Sequence, residues 1–523
     1  MIQAKLDNLS IVECTIKRKD QVKPIITLQS KVQLNKESVI VNPTMLFTRL
    51  VAIAQREKED IEEFFAFELT QEPMSLFKHG LMRKPDKPSL RKAVMKDDEA
   101  VGKNQLQIDP YFVVDGGALL HRVRWIKNST FDELSQVYVS YVRRHYKSCT
   151  IVFDGYDGPS TKSNEHMRRT GGGKRCPNID VVGFNKVSFT QESFLNNKDN
   201  KTRFIRHISI KLQQDGQTVK ICEGDADTTI VSTALKEAET NNKKAVVTVA
   251  DDTDVAMMLL YHWQEHHGDV YFFQERLDKA WNMKVVCQKW NPIRQHILFV
   301  HSFSGCDTTS APFGKGKNNL LSLVTKNKTL QIVSDTMGDV WADNRDVEEA
   351  AIKAFQIIYG GNDLTDLCKL RYRKYLDMCW KGKIDPEKMP PTESAAILHG
   401  FRVHLQIMNW KILEEEELKQ IDPSKWGWKI ENSQMMPIKT DKQVAPDSLL
   451  KIIKCNCKAT SKSPCSTNLC SCRKHGLSCM QSCGECHGET CENKEVFDGD
   501  SNVEDDLEDK EENRNIFDIF DAF

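Results

Sequence analysis

The sequence has no apolar run long enough to span a membrane, and its amino terminus lacks the basic start and apolar core of a signal peptide. It also has almost no net charge, because 73 Lys and Arg residues balance 74 Asp and Glu residues. We therefore expect a soluble, intracellular protein that does not associate with membranes. The balance conceals an asymmetry, since segment 498–521 is rich in Asp and Glu while Lys and Arg are spread through the rest of the chain. The 523 residues are enough for several domains.

The cysteines are not distributed evenly along the chain. Of 17 cysteines, nine are crowded near the carboxyl end and the other eight are scattered singly, which indicates metal binding rather than disulfides. The crowded cysteines follow the pattern C-x-C-x7-C-x4-C-x-C-x6-C-x3-C-x2-C-x4-C and are Cys455, Cys457, Cys465, Cys470, Cys472, Cys479, Cys483, Cys486 and Cys491. A segment with so few apolar residues has no core of its own, so bound zinc would supply its folding free energy. The alternatives are a disulfide knot and an unstructured tail.

This cysteine segment, 449–494, resembles one half of a tesmin-type CXC domain. In that family and in related pre-SET clusters, nine cysteines bind three zinc ions and some thiolates bridge two ions, so the resemblance implies about three zinc ions here. Leu469 stands where tesmin-type domains carry a DNA-contacting tyrosine. Sequence-specific DNA binding therefore does not follow from the resemblance.

Two groups of acidic residues enclose a predicted helix in the middle of the chain. The first follows a short apolar run, Val219–Cys222, and the second follows Ala245–Ala250, an uncharged run typical of a strand buried on both faces of a parallel sheet. The acids are Glu223, Asp225 and Asp227, the last suited to N-cap the helix, and then Asp252 and Asp254. Ligands bind at the carboxyl ends of such strands, and crowded carboxylates repel one another unless cations neutralise them, so we expect a divalent metal site. The alternative is a set of solvated helix and strand caps.

Two earlier strands end in the same way. Tyr111–Asp115 is followed by two glycines and Cys149–Asp154 by one, and the segment Thr130–Tyr146 between them has helical spacing, so the three form a βαβ unit. The basic stretch after the second strand could neutralise phosphate charge that develops in a transition state, although a solvated basic helix would explain it equally well. Its candidate catalytic residues are Lys162, Arg168 and Arg169.

A further acid, Asp307, follows an apolar run and precedes a glycine-rich turn and a new helix. Glycines allow backbone N–H groups to approach a phosphate, so this turn is a candidate nucleic-acid contact. Its residues are Gly314, Lys315, Gly316 and Lys317.

In this order the segments resemble the flap endonuclease branch of the 5′-nuclease, or PIN-like, superfamily. The resemblance implies an α/β fold with a parallel sheet flanked by helices, two Mg²⁺ or Mn²⁺ ions held by the acids, and a helix-turn-helix element that grips duplex phosphates through the glycine-rich turn. The implied metal ligands are Asp115, Asp154, Glu223, Asp225, Asp227, Asp252, Asp254 and Asp307, with Asp251 outside the ligand set. The family's acidic pair before the last strand remains open between Glu223 with Asp225 and Asp225 with Asp227. The turn departs from the family, because it reads Gly-Lys-Gly-Lys where Gly-Ile-Gly-Pro-Lys is usual.

The predicted organisation is an accessory region (1–105), the nuclease domain (106–330), a helical region (331–448), the zinc module (449–494) and a disordered acidic tail (495–523). The accessory region means that the nuclease domain does not begin at the amino terminus, as it does in flap endonucleases. It contains a basic, proline-bearing loop, 82–90, that we interpret as a solvated surface loop.

These features predict a metal-dependent nuclease that hydrolyses phosphodiester bonds, in DNA in preference to RNA. A zinc module would position it on nucleic acid or chromatin in the nucleus, with the cytoplasm as the alternative location. A protein partner could bind the acidic tail. Two alternatives stay open: a catalytically inactive PIN-like scaffold, and a CXC-type DNA- or chromatin-binding regulator whose larger domain serves protein contacts. Metal-dependent cleavage separates the first interpretation from both.

Overall fold

Strands and helices alternate through the middle of the chain, and helices dominate after it. The computed structural model describes residues 30–34, 37–41, 43–56, 61–106, 109–155, 161–162, 176–240, 244–361, 366–413, 421–432, 434–446, 454–458, 463–479, 483–488 and 491–494. Their strands are β1 (Ser30–Leu34), β2 (Glu37–Val41), β3 (Phe77–Lys78), β4 (Leu81–Met82), β5 (Tyr111–Asp115), β6 (Cys149–Phe153), β7 (Thr218–Ile221), β8 (Val246–Val249), β9 (Val270–Gln274), β10 (Lys279–Asn282), β11 (Trp428–Glu431) and β12 (Gln434–Pro437).

The α-helices of the described residues are α1 (Pro43–Arg56), α2 (Ile61–Phe64), α3 (Lys87–Val94), α4 (Gly116–Arg122), α5 (Phe131–Tyr146), α6 (Gln191–Leu195), α7 (Lys198–Gln214), α8 (Asp227–Thr240), α9 (Thr253–His262), α10 (Met283–Lys289), α11 (Ile297–Phe303), α12 (Lys317–Lys326), α13 (Lys328–Met337), α14 (Asn344–Ile358), α15 (Leu367–Trp380), α16 (Glu393–Lys411) and α17 (Ser471–Lys474).

Six strands form the central sheet in the order β10-β9-β8-β5-β6-β7. The pairs among β5, β6, β7, β8 and β9 are parallel, and β10 pairs antiparallel to β9. The βαβ unit predicted from the sequence is β5-α5-β6, and α5 begins at a capping box in which Thr130 accepts from the Glu133 N–H and Glu133 accepts from the Thr130 N–H. The predicted α/β class, with a mostly parallel sheet flanked by helices, is confirmed.

Helices cover both faces of this sheet. In β5, Val113 belongs to the core on one face, with α8, α9 and α11, whereas Phe112 and Val114 belong to the core on the other, with α4, α5 and α7. All four residues of β8 are buried, which explains why this strand has no charged side chain. The edge strand β7 is mostly exposed.

The core on the first face continues beyond the sheet. It includes Leu90 and Val94 of α3, Phe355 of α14 and Trp428 of β11, so segments before and after the sheet share apolar contacts with it. The helices predicted after residue 330 are present, and the β11–β12 hairpin between Trp428 and Pro437 was not predicted. The predicted domain boundaries near 105 and 330 stay predictions. None of the described helices is long and apolar enough to cross a membrane.

The chain divides into two compact units, Met1–Leu450 and Lys451–Phe523. In the described part of the second unit, the buried side chains are cysteines together with Lys454 and His475. A unit without an apolar core requires another source of folding free energy. The acidic tail, 495–523, lies outside the described residues, so its predicted disorder stays a prediction.

Candidate functional site

The acidic residues lie at the carboxyl ends of the parallel strands. Asp115 is the last residue of β5, and Asp154 directly follows β6. Asp227 begins α8 after β7, and Asp252 caps α9 after β8. Because parallel strands end at one edge of the sheet, residues far apart in the sequence meet there.

Two glycines permit this approach. A Cβ on Gly117 would lie 3.1 Å from Oδ1 of Asp115 and 3.3 Å from Oδ2 of Asp154, so these two carboxylates lie close together over the Gly117 backbone. A Cβ on Gly155 would lie 2.1 Å from the Cys222 carbonyl oxygen, and the Gly155 N–H donates to the Gly224 carbonyl at 2.7 Å. The loop after β7 is thereby held against the end of β6, and its acids are brought to the site.

Three carboxylates form the centre of the site. One oxygen each of Asp227, Asp252 and Asp254 lies within 4.8 Å of the others, a spacing that a single ion can bridge. The Asp254 side chain is buried, and Asp252 Oδ1 accepts from the Asp254 backbone N–H at 3.0 Å. The N-terminus of α9 therefore holds the Asp252 carboxylate in a fixed position.

Two lysines neutralise part of this charge. The Lys87 ammonium lies 2.8 Å from Asp307 Oδ1 and 3.0 Å from Asp254 Oδ2, and it also approaches Asp252 at 3.5 Å. Lys162, a predicted catalytic residue, lies 2.6 Å from Asp225 Oδ2 and 3.2 Å from Asp227 Oδ2.

Lys87 was missed because the sequence interpretation placed it in a solvated loop. It instead begins α3, whose Leu90 and Val94 are buried in the core, so the helix directs the ammonium into the acidic site. The signal in the sequence was this pair of apolar residues four apart, directly after a proline suited to a helix start.

The pKa values show the cost of assembling these acids without a metal. Burial, with Asp154 nearby, raises the pKa of Asp115 to about 7, and burial with Asp254 raises the pKa of Asp252 to about 6. Burial also raises the pKa of Asp227 well above its ordinary value. Burial would raise the pKa of Asp254 too, but Lys87 and His301 hold it well below its usual range. A divalent cation would offset the repulsion, so this donor set fits Mg²⁺ or Mn²⁺.

His301 and Lys317 support the site from behind. His301 Nε2 lies 2.7 Å from Asp254 Oδ1, and its Nδ1 lies 3.0 Å from the Lys317 ammonium. Lys317 also donates to the carbonyl oxygens of His301 at 2.9 Å and of Gly305 at 2.6 Å. Sequence reasoning missed His301, because it is one histidine within an apolar helix, α11.

The position of Lys317 corrects the prediction that it contacts a phosphate. Its side chain is only 2% exposed, and burial lowers its pKa to about 7. The ammonium is committed to the interior, because the first residue of α12 faces α11 rather than solvent. The exposed part of the glycine-rich turn is Gly314, with φ +69°, and Gly316, while Lys315 lies 4.9 Å above the Tyr359 ring.

The acids on either side of the central three differ in their contacts. Lys162 bridges Asp225 and Asp227, and Asp227 meets Asp252 and Asp254, so the geometry favours Asp225 with Asp227 over Glu223 with Asp225 as the acidic pair of the site. Asp251 pairs with Arg122 at 2.8 Å, away from the ligand set. Arg168 and Arg169 lie outside the described residues.

In the second unit, the sulfur atoms of cysteines that are distant in sequence lie close together. The Cys455 sulfur lies 3.8 Å from Cys465, 3.8 Å from Cys479 and 3.7 Å from Cys486, and Cys472 lies 3.5 Å from Cys483. A tetrahedral zinc site with Zn–S bonds of about 2.3 Å has sulfur–sulfur separations of about 3.8 Å, so these distances match its edges. They are much longer than a disulfide bond of about 2.05 Å.

Several cysteines belong to more than one possible ligand set. Three sets of four share Cys455, and the sets are Cys455, Cys465, Cys479 and Cys486; Cys455, Cys457, Cys465 and Cys470; and Cys455, Cys470, Cys472 and Cys479. Burial raises the pKa of Cys455, Cys465 and Cys479, so the metal-free thiols would stay protonated. The shared sulfurs are placed as bridging ligands of a cluster would be.

A family model matches one part of the chain, and solved structures match it at low similarity. Residues 1–68 match a family described as a domain of unknown function, DUF8702, and no curated protein matches the chain. Among solved structures, the catalytic core of Rad2 in complex with DNA substrate is 13% identical with a TM-score of 0.30, over 60% of this chain and 93% of that chain. Human GEN1 in complex with Holliday junction DNA is 15% identical with a TM-score of 0.27, over 62% of this chain and 80% of that chain.

Proposed function

We propose that the first unit is a divalent-metal-dependent nuclease that hydrolyses phosphodiester bonds in DNA, and that the cysteine cluster is a zinc module that positions it. The observation that carries this proposal is the meeting of Asp227, Asp252 and Asp254, with oxygens within 4.8 Å, at the sheet edge where Asp115 and Asp154 also end their strands. Oxygen ligands at one sheet edge favour Mg²⁺ or Mn²⁺ over softer metals. The proposal includes a nuclear location, where DNA and chromatin are available.

The acidic and basic side chains of the site would have different roles in the reaction. The acids would hold the ions, and two such ions would supply water activation and stabilisation of the leaving oxygen in an in-line displacement. Lys162 and Lys87 are placed to offset negative charge as the phosphate passes through its transition state. No Ser, Cys or His nucleophile is required, and His301 orients Asp254 without touching substrate.

The zinc module is proposed to hold about three ions. Its support is the set of sulfur–sulfur distances near 3.8 Å and the sharing of Cys455, Cys465, Cys470 and Cys479 between ligand sets. Lys458, Arg473 and Lys474 lie among the cysteines and would favour a polyanionic partner, nucleic acid or chromatin.

The test is a cleavage assay with the full chain and Mg²⁺ or Mn²⁺ on labelled flap, duplex and single-stranded DNA, with matched RNA. We expect metal-dependent cleavage by the wild type and none by Asp252→Asn, since Asn keeps the cap on α9 but removes the ligand charge. Asp251→Asn is the matched control, because Asp251 is the neighbouring carboxylate and lies outside the ligand set.

The rival interpretations make different forecasts. An inactive scaffold or a DNA-binding regulator would cleave none of the substrates under any metal condition, which would overturn the nuclease proposal. Equal cleavage by Asp252→Asn and wild type would show that another site, or a contaminant, performs the reaction.

A further inference from the structure

Helix α15 carries a stripe of side chains that its own packing does not use. Lys369, Arg373, Leu376 and Trp380 follow one another at spacings of four, three and four residues, which places them along one side of the helix. All four are exposed, with Leu376 45% and Trp380 93% exposed. A nearly fully exposed tryptophan is unusual for a surface without a partner.

The opposite side of α15 already anchors the helix. The Tyr375 ring lies 5.2 Å from Phe65 and 5.9 Å from Phe47. Arg371 is fully buried and donates to the Phe65 carbonyl at 2.8 Å and the Phe67 carbonyl at 3.1 Å. The fold therefore holds the exposed stripe rigidly without help from the stripe itself.

The surroundings of the stripe are basic. Lys381 and Lys383 are exposed directly after Trp380. Two acids lie nearby: Asp377, which is exposed, and Asp366, which pairs with Lys369 at 3.5 Å. Burial lowers the pKa of Lys315, and the nearby charge of Lys374, on the same helix as the stripe, lowers it further.

Helix α15 lies near the glycine-rich turn. Lys315 of the turn lies over the ring of Tyr359, the residue after α14, and a Cβ on Gly361 would lie 3.3 Å from Leu370 of α15. The turn and helix α15 thus both lie at the carboxyl end of α14.

We propose that the outer stripe of α15 binds a single-stranded segment of nucleic acid that continues from the turn, with Lys369 and Arg373 on phosphates and Trp380 stacked on an unpaired base. This rests on the nucleic-acid binding in the proposed function and extends it. Positive charge complements the phosphate backbone, and an indole can stack only on a base that is not already stacked in a duplex. Leu376, between the two parts, supplies apolar contact to the sugar and base edge.

Trp341 provides a matched control for Trp380. It is 90% exposed, yet it lies among acids, with its backbone N–H donating to Asp339 Oδ1 at 3.0 Å and α14 beginning at the Asp343 cap. An exposed tryptophan in acidic surroundings should not attract a phosphate backbone.

The experiment uses the full chain carrying Asp252→Asn, so that substrates stay intact, and measures fluorescence anisotropy with labelled single-stranded DNA, blunt duplex and duplex with a single-stranded extension. Trp380→Ala should weaken binding to the two substrates with unpaired bases about tenfold and leave blunt duplex binding unchanged. Arg373→Glu should weaken binding to single-stranded DNA and reduce its salt slope by about one. Trp341→Ala should bind all three substrates like the parent, and thermal unfolding should confirm that each variant is folded.

Several results would overturn the proposal. One is unchanged single-strand affinity in Trp380→Ala, and another is an equal loss in Trp341→Ala. A third is a change in the sedimentation coefficient of Trp380→Ala, which reports self-association, without a change in its DNA affinity. That result would identify the stripe as a face that docks another protein chain. The proposal is separable from nuclease activity, because a chain that binds through Trp380 but never cleaves refutes the activity and leaves this surface in place.

Discussion

His301 donates a hydrogen bond from Nε2 to Oδ1 of Asp254 over 2.7 Å, and both side chains are buried. The proton position follows from the other nitrogen, because Lys317 donates to Nδ1. Burial lowers the pKa of His301 to about 4, so the ring is neutral at physiological pH and its single N–H is committed to Asp254. A carboxylate oriented by a neutral imidazole is a common arrangement behind a metal ligand.

Replacing His301 by Leu should weaken both Mn²⁺ binding and DNA cleavage by about 10- to 100-fold, since Asp254 loses the donor that orients it. Mn²⁺ titration and initial rates at saturating metal measure the two effects. His399→Leu is the control, because His399 is also buried but bonds the Phe303 carbonyl instead of a carboxylate. Equal Mn²⁺ affinity in the two variants would contradict the role of His301.

Lys315 and Lys317 should respond differently to substitution although they lie two residues apart. Lys317→Met leaves buried acceptors unpaired and should lower the free energy of unfolding by about 1–3 kcal/mol. Lys315→Met should cost less than about 1 kcal/mol, because it loses one contact with Tyr359, and it should weaken duplex binding with a shallower salt dependence. Urea unfolding and binding at several salt concentrations test both expectations. Weaker duplex binding by Lys317→Met with unaltered stability would restore Lys317 as a phosphate ligand.

The stability difference between Asp252→Asn and the wild type should depend on pH when no divalent ion is added. Burial and Asp254 raise the pKa of Asp252 to about 6, above its unfolded value of about 3.9. The neutral Asp252 carboxyl group therefore stabilises the folded state at pH values below its unfolded pKa. This stabilisation is lost as the pH rises through its folded pKa. The variant should therefore gain stability relative to the wild type between pH 4 and 7.

The expected effect is the difference in stability between Asp252→Asn and the wild type, not the stability of either protein alone. Buried histidines such as His301 and His399 have lowered pKa values, and their effect on stability has the opposite pH dependence over part of this range, but it is common to both proteins. Thermal unfolding at intervals of one pH unit measures the difference. Added Mg²⁺ should reverse it at pH 7.5, where the wild type binds metal and the variant binds it more weakly. A difference that is independent of pH would show that Asp252 is not perturbed by its neighbours.

Elemental analysis of the purified chain should find about three zinc ions per molecule. Cys470→Ser should lower this number, since Cys470 belongs to two of the possible ligand sets. Cys379→Ser should leave it unchanged, because Cys379 is an exposed cysteine of α15. A folded second unit without metal would contradict the proposal.

The sequence by itself determined those features that depend on neighbours along the chain. The β5-α5-β6 unit and the buried strand β8 follow from local patterns of apolar residues, and Asp115, Asp154 and Asp252 follow from their place at or shortly after the carboxyl end of a strand. The cysteine cluster follows from spacing alone, because the short segments of chain between successive cysteines keep the sulfurs close enough to share metal ions.

Only the tertiary structure decided which distant side chains complete the site. Lys87 reaches Asp254 across 167 positions of sequence because α3 is packed into the shared core, and no local pattern encodes that packing. His301 and Lys317 face inward because α11 and α12 meet behind Asp254, which turned a predicted phosphate ligand into a buried support. The geometry favours Asp227 over Glu223, because the path of the chain after β7, where Gly155 holds the loop, brings an oxygen of Asp227 within 4.8 Å of Asp252 and Asp254. Local sequence sets which residues can bind a cation, and long-range packing sets which of them share one.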